Sequence, residues 1–141
     1  MAGNRYETLL FVTEYYEKCC SDVDVETVFK VFAFLLSDSK SLLERATCLV
    51  DDQEIVAVRT SEQSRKFWLI KSSTSMKKYR LLERFCPCRY YFDQFRRCGS
   101  ENAICKHLLA VLMARSLGKI KQRIVHEEEF IGLLSEKAGF F

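Results

Sequence analysis

Apolar residues recur at spacings of three and four through the first third of the chain, which predicts amphipathic helices. Over residues 5–20 the stripe is Leu9, Val12, Tyr16 and Cys19, widened by Phe11 and Tyr15. Ser21, Asp22 and Asp24 follow as candidate caps. A second helix is expected from Val25 to Leu36 on Val25, Val28, Phe29, Phe32 and Leu36. A third is expected from Ser39 or Ser41, where Ser41 and Glu44 fit a capping box, with Leu42, Leu43, Ala46 and Leu49 or Val50 inward.

The period then shortens. Glu54–Arg59 and Lys66–Lys71 are β-branched and aromatic runs separated by the polar stretch Thr60–Arg65. Ser72–Ser75 is a second turn, and Lys77–Leu82 supplies a third strand of an antiparallel meander. Tyr90, Tyr91, Phe92 and Phe95 predict a short helix that breaks near Cys98-Gly99-Ser100. Ile104, Leu108, Val111 and Leu112 mark a helix ending before Gly118, and Glu127–Lys137 reads as a last one. The expectation is an α+β fold: N-terminal helices, a three-stranded antiparallel meander and C-terminal helices.

Length and composition set bounds on this picture. A chain of 141 residues, 48% hydrophobic, suits one domain that buries roughly two thirds of its unfolded surface. No run approaches the ~18 apolar residues of a membrane span. Arg5, Glu7 and Glu14 interrupt the first apolar stretch, so no secretory signal is expected. The net charge of +3 conceals an asymmetry: −6 over residues 1–64, +12 over 65–123 and −3 over 124–141.

The basic middle surrounds the chemistry. Cys86-Pro87-Cys88, then sixteen residues, then Cys105-Lys106-His107, presents three thiols and an imidazole, the donor set of a closed tetrahedral zinc site. Side chains two apart in an extended segment point the same way, so Cys86 and Cys88 reach one metal from a strand end. Residues two apart on a helix do not face each other, so Cys105 is expected at a helix entrance and His107 in its first turn. The positive end of that helix also favours a thiolate. One structural Zn²⁺ is the expected cofactor, and its use of thiols implies a reducing compartment. Cys98 lies between the pairs and offers an alternative ligand or a spare loop thiol.

The pattern Cys86-x-Cys88-x₁₆-Cys105-x-His107, after a meander and before Leu108-Leu-Ala-Val111, resembles the SWIM-type zinc-finger family. Together with Ala46-Thr-Cys-Leu-Val-Asp51 and a helical first half, it is similar to the SWIM-domain subunits of the Shu complex. On that resemblance the single domain divides into a helical part at 1–51, the zinc finger at 52–117 and a helical extension at 118–141. The resemblance implies an adaptor in homologous recombination that is nuclear, or both nuclear and cytoplasmic. It pairs with a RecA-like recombinase paralog and promotes recombinase filaments on single-stranded DNA. It also implies zinc liganding by Cys86, Cys88, Cys105 and His107.

The charges themselves leave two readings open. Lys77, Lys78, Arg80, Arg84, Arg89, Arg96 and Arg97 are candidates for phosphate contact, or for docking onto an acidic partner. Cys19, Cys20 and Cys48 are expected in the core, and His126 is expected to help begin the last helix. No Gly-rich phosphate loop or oriented nucleophile is evident, so no catalysis and no small-molecule substrate are expected. The alternative to the adaptor is an autonomous zinc-finger nucleic-acid-binding protein, although the helix after Cys105 is mainly apolar.

Overall fold

A computed structural model describes residues 5–19, 23–61, 65–71, 78–99 and 101–135. The elements run α1 (Arg5–Cys19), α2 (Val25–Leu35), α3 (Lys40–Asp52), β1 (Glu54–Thr60), β2 (Lys66–Lys71) and β3 (Lys78–Leu81). They continue with α4 (Arg89–Cys98), α5 (Lys106–Ser116), β4 (Lys121–Val125) and α6 (Glu127–Ser135).

The strands form one mixed sheet in the order β3-β2-β1-β4. β1 and β2 pair antiparallel with Ala57 opposite Trp68, and β2 and β3 pair antiparallel with Ile70 opposite Tyr79. The expected three-strand meander is therefore present, and a fourth strand extends it. β4 lies parallel to β1, with Val56 opposite Lys121 and Thr60 opposite Val125. The C-terminal part thus begins as a strand before turning helical.

Both faces of the sheet are covered, which is why β1 and β2 read as nearly unbroken apolar runs. Ile55, Ala57, Trp68, Ile70 and Leu81 share a core with α1, α2, α3 and α5. Val56, Val58, Phe67, Leu69 and Val125 face the other way, against Phe130 of α6. Phe130 meets Phe67 edge-on at 5.2 Å, and burying such a ring contributes about 1.5–3 kcal/mol.

The central element is α5. His107 through Ala114 are all buried, as is Ser116, so this helix is enclosed on every side and has no solvent stripe. Its apolar face is wider than the four periodic residues predicted. α1 is fastened to it by Arg115, whose guanidinium donates to both carboxylate oxygens of Glu17 at 2.9 and 3.0 Å. The same guanidinium lies 5.4 Å from the centre of the Trp68 ring.

Several local expectations are corrected. Ser41 lies inside α3; its N-cap is Ser39, which makes no side-chain cap bond. Ser39 Oγ is taken up instead, accepting from Arg5 Nη2 at 2.7 Å. Asp24 caps α2 by accepting from the Glu26 amide at 3.2 Å, whereas Ser21 and Asp22 lie outside the described residues. Phe11 and Tyr15 do not widen the buried stripe of α1; its buried residues are Tyr6, Leu9 and Thr13. Cys48 is exposed and Cys19 half-buried, so neither is a fully buried core thiol; Cys20 lies outside the described residues. The Ser72–Ser75 turn and the Lys137 end of the last helix also lie outside them.

Candidate metal centre

A tight turn delivers the first two cysteines. Leu82 and Phe85 exchange both backbone hydrogen bonds, at 3.0 and 3.1 Å, around Glu83 and Arg84. Arg84 takes a left-handed backbone (φ 63°), an uncommon conformation for a residue with a side chain. Three contacts hold it there. The Tyr91 hydroxyl donates to its carbonyl at 2.5 Å, its guanidinium pairs with Glu7, and it lies 5.5 Å from the Tyr6 ring centre.

Cys86 emerges buried from this turn, and Cys88 becomes the N-cap of α4 with its Sγ accepting the Tyr91 amide at 3.3 Å. Cys105 is the N-cap of α5, and its Sγ accepts the Leu108 amide at 3.4 Å. His107 is in the first turn of α5, with Nδ1 3.9 Å from Cys105 Sγ. Two helix N-termini therefore converge on one cluster, and both favour negative sulfur.

One ligand atom from each of Cys86, Cys88, Cys105 and His107 lies within 4.8 Å of all the others. Zn–S bonds of roughly 2.3 Å and a Zn–N bond of roughly 2.0–2.1 Å, set tetrahedrally, give edges of about 3.5–3.8 Å. The donor set and its spread fit one zinc ion with no coordination position left over. Cys98 is apart from it, exposed at the end of α4 with its thiol 3.8 Å from Gln94 Oε1.

The three thiols are electrostatically unequal. Hydrogen bonds from Cys105 and Cys86 hold Cys88 far below the ordinary thiol range. Sharing with Cys105 and Cys88, along with burial, drives Cys86 far above it. Burial pushes Cys105 up to about 12. The metal-free cluster thus favours one shared negative charge over three.

One supporting contact escaped the sequence reading. The Tyr79 ring lies against the His107 imidazole, centroids 4.2 Å apart and planes tilted by 32°. Burial, then the charges of Cys88 and Cys86, raise the Tyr79 hydroxyl above its ordinary value. β3 thus reaches across to the first turn of α5, a pairing no local spacing announces.

The basic candidates separate. Arg80 is buried at 2% exposure, with Nε donating to the Leu133 carbonyl at 2.6 Å near the end of α6. A guanidinium is favourable at the negative end of a helix, so Arg80 holds α6 to the sheet and is no surface contact. Arg84 is engaged with Glu7 and Tyr6, as described. Lys78 is half-buried, while Arg89, Arg96 and Arg97 are exposed on α4. Lys77 lies outside the described residues. Tyr90, Phe92 and Phe95 are half-exposed on the same helix, around the buried Tyr91. His126 is exposed, and its carbonyl accepts the Phe130 amide at 2.8 Å, opening α6. Among the described residues no helix is long and apolar enough to cross a membrane.

Comparison with known proteins agrees with this centre. Over 94 residues the chain is 28% identical to Zinc finger SWIM domain-containing protein 7 of Danio rerio. The match covers 66% of this chain and 66% of the relative. No family model matches the chain, and no solved structure matches it significantly. The donor set and this similarity together support a SWIM-type zinc finger that binds one zinc ion through a Cys₃His cluster.

Proposed function

We propose that this chain, which carries a SWIM-type zinc finger, is a non-enzymatic adaptor of homologous recombination. It pairs with a RecA-like recombinase paralog in the nucleus and helps a recombinase assemble on single-stranded DNA. The observation that carries the reading is the closed donor set: four ligand atoms within 4.8 Å, on a turn and two helix ends. Zinc bound by four protein ligands supplies a fixed cross-link, and its binding energy becomes folding energy. A site of that kind organises surfaces for partners. The similarity to a SWIM-domain protein supports the same direction.

The test is co-purification of the chain with the RecA-like paralogs of its own genome, in parallel with Cys88→Ser. Recovery of a paralog with the intact chain and its loss with Cys88→Ser supports the adaptor. Failure of every paralog to bind the intact chain overturns it.

A second reading rests on α4. Arg89, Arg96 and Arg97 are exposed beside half-exposed aromatic rings, a combination suited to single-stranded nucleic acid. Tight oligonucleotide binding by the isolated chain, with a steep salt dependence, favours this autonomous nucleic-acid binder.

A further inference from the structure

We propose that the Phe11–Tyr15 ridge of α1 is the surface that receives the partner, and that the partner segment seated there presents an apolar side chain beside a lysine or arginine. The proposal rests on the adaptor reading and gives it a location.

Phe11 and Tyr15 are four residues apart on one helix, so they stand one above the other on the same face. They are 74% and 60% exposed. The opposite face of α1, with Leu9 and Thr13 buried, packs on α5. The Thr13 hydroxyl donates to the Leu112 carbonyl at 3.4 Å. The helix is therefore fixed on its inner side; Phe11 and Tyr15 stand outside the core cluster, Tyr15 meeting the half-buried Tyr16 edge-on at 5.4 Å. Contiguous exposed aromatic surface rimmed by polar groups marks interaction sites, and Phe and Tyr are common interface anchors.

Charge selects the occupant. A cleft of about 400 Å³ beside the ridge is lined by Glu7, Thr8, Phe11 and Glu14. The Glu7 carboxylate is engaged by Arg84, whereas Glu14 has no ion-pair partner among the described residues. An apolar knob with an adjoining cation fills the cleft and pairs with Glu14.

The ridge lies outside the packed core, so its substitution separates binding from folding. The experiment measures affinity of the full chain for each RecA-like paralog of its genome. It compares the native chain with Phe11→Ser/Tyr15→Ser and with Glu14→Lys. The expected result is at least tenfold weaker binding for the double variant and a weaker complex for Glu14→Lys, with zinc content and thermal midpoint unchanged. A photoreactive benzoylphenylalanine in place of Tyr15 is expected to cross-link to the paralog. Undiminished affinity in the variants overturns the ridge while leaving the adaptor reading intact. Cross-linking to the chain itself or to a second copy also overturns the ridge. Failure of every paralog to bind the native chain overturns both.

Discussion

Cys88 and Cys105 occupy the same structural role at two different helices: each is the N-cap, and each sulfur accepts the amide three residues on, at 3.3 and 3.4 Å. Two of the four zinc-ligand residues are thus also the residues that start α4 and α5. Metal binding and helix initiation become one event, with α5 at the centre of the fold.

This double role separates two substitutions. Serine is a good N-cap and alanine is not, the difference being about 0.5–2 kcal/mol. Cys88→Ser and Cys88→Ala should both lose zinc, but the alanine form should retain less helix. Circular dichroism of the two proteins, after metal analysis, reads the difference. Equal helix content would show that the Cys88–Tyr91 bond does not help to initiate α4.

The Tyr79–His107 contact predicts a graded effect on the metal. Groups that support a metal ligand typically contribute 10–100-fold in affinity. Tyr79→Ala should weaken zinc by about tenfold or more, while Tyr79→Phe, which keeps the ring, should stay close to native. Competition with a chromophoric chelator measures both.

The unequal thiols predict a pH dependence. With Cys88 held low and with Cys86 and Cys105 held high, the folded metal-free site carries two thiol protons at neutral pH. Zinc must displace both, so affinity rises as pH rises and falls as pH falls, by about 100-fold per unit near neutrality. Calorimetric zinc titration in buffers of different ionisation enthalpy should count about two protons. A count near three indicates a metal-free site already unfolded, with three ordinary thiols.

Arg115 is the clamp between α1, α5 and the sheet, with its side chain 8% exposed against Glu17. Hydrogen bonds to charged groups contribute about 1.5–3 kcal/mol, so Arg115→Leu should lower the urea midpoint markedly while zinc content stays at one per chain. An unchanged midpoint would mean that α1 is held by its apolar face alone.

The sequence was most legible where the signal is local. β2 matched its expected bounds because a continuous apolar, aromatic-rich run, Phe67–Ile70, sits between lysines and polar breaks. The paired cysteine and histidine spacings marked the metal centre for the same reason. β4 was missed because Lys121-Gln-Arg-Ile-Val125 is a sheet edge with only Val125 buried, which leaves no alternation to see. Arg80 looked like surface because its partner, the Leu133 carbonyl, is 53 residues away. The partners of Arg84, Glu7 and Tyr6, belong to the first helix and were equally invisible to local spacing. Tyr79 could not be assigned to the metal centre before β3 and α5 were known to meet.

The most direct test of the central claim is X-ray absorption at the zinc edge of the purified chain. The account predicts one zinc per chain with three sulfur ligands at about 2.3 Å and one nitrogen at about 2.0–2.1 Å. Four sulfurs would contradict it by putting Cys98 or another thiol in place of His107, and a folded chain without zinc would remove the metal centre altogether.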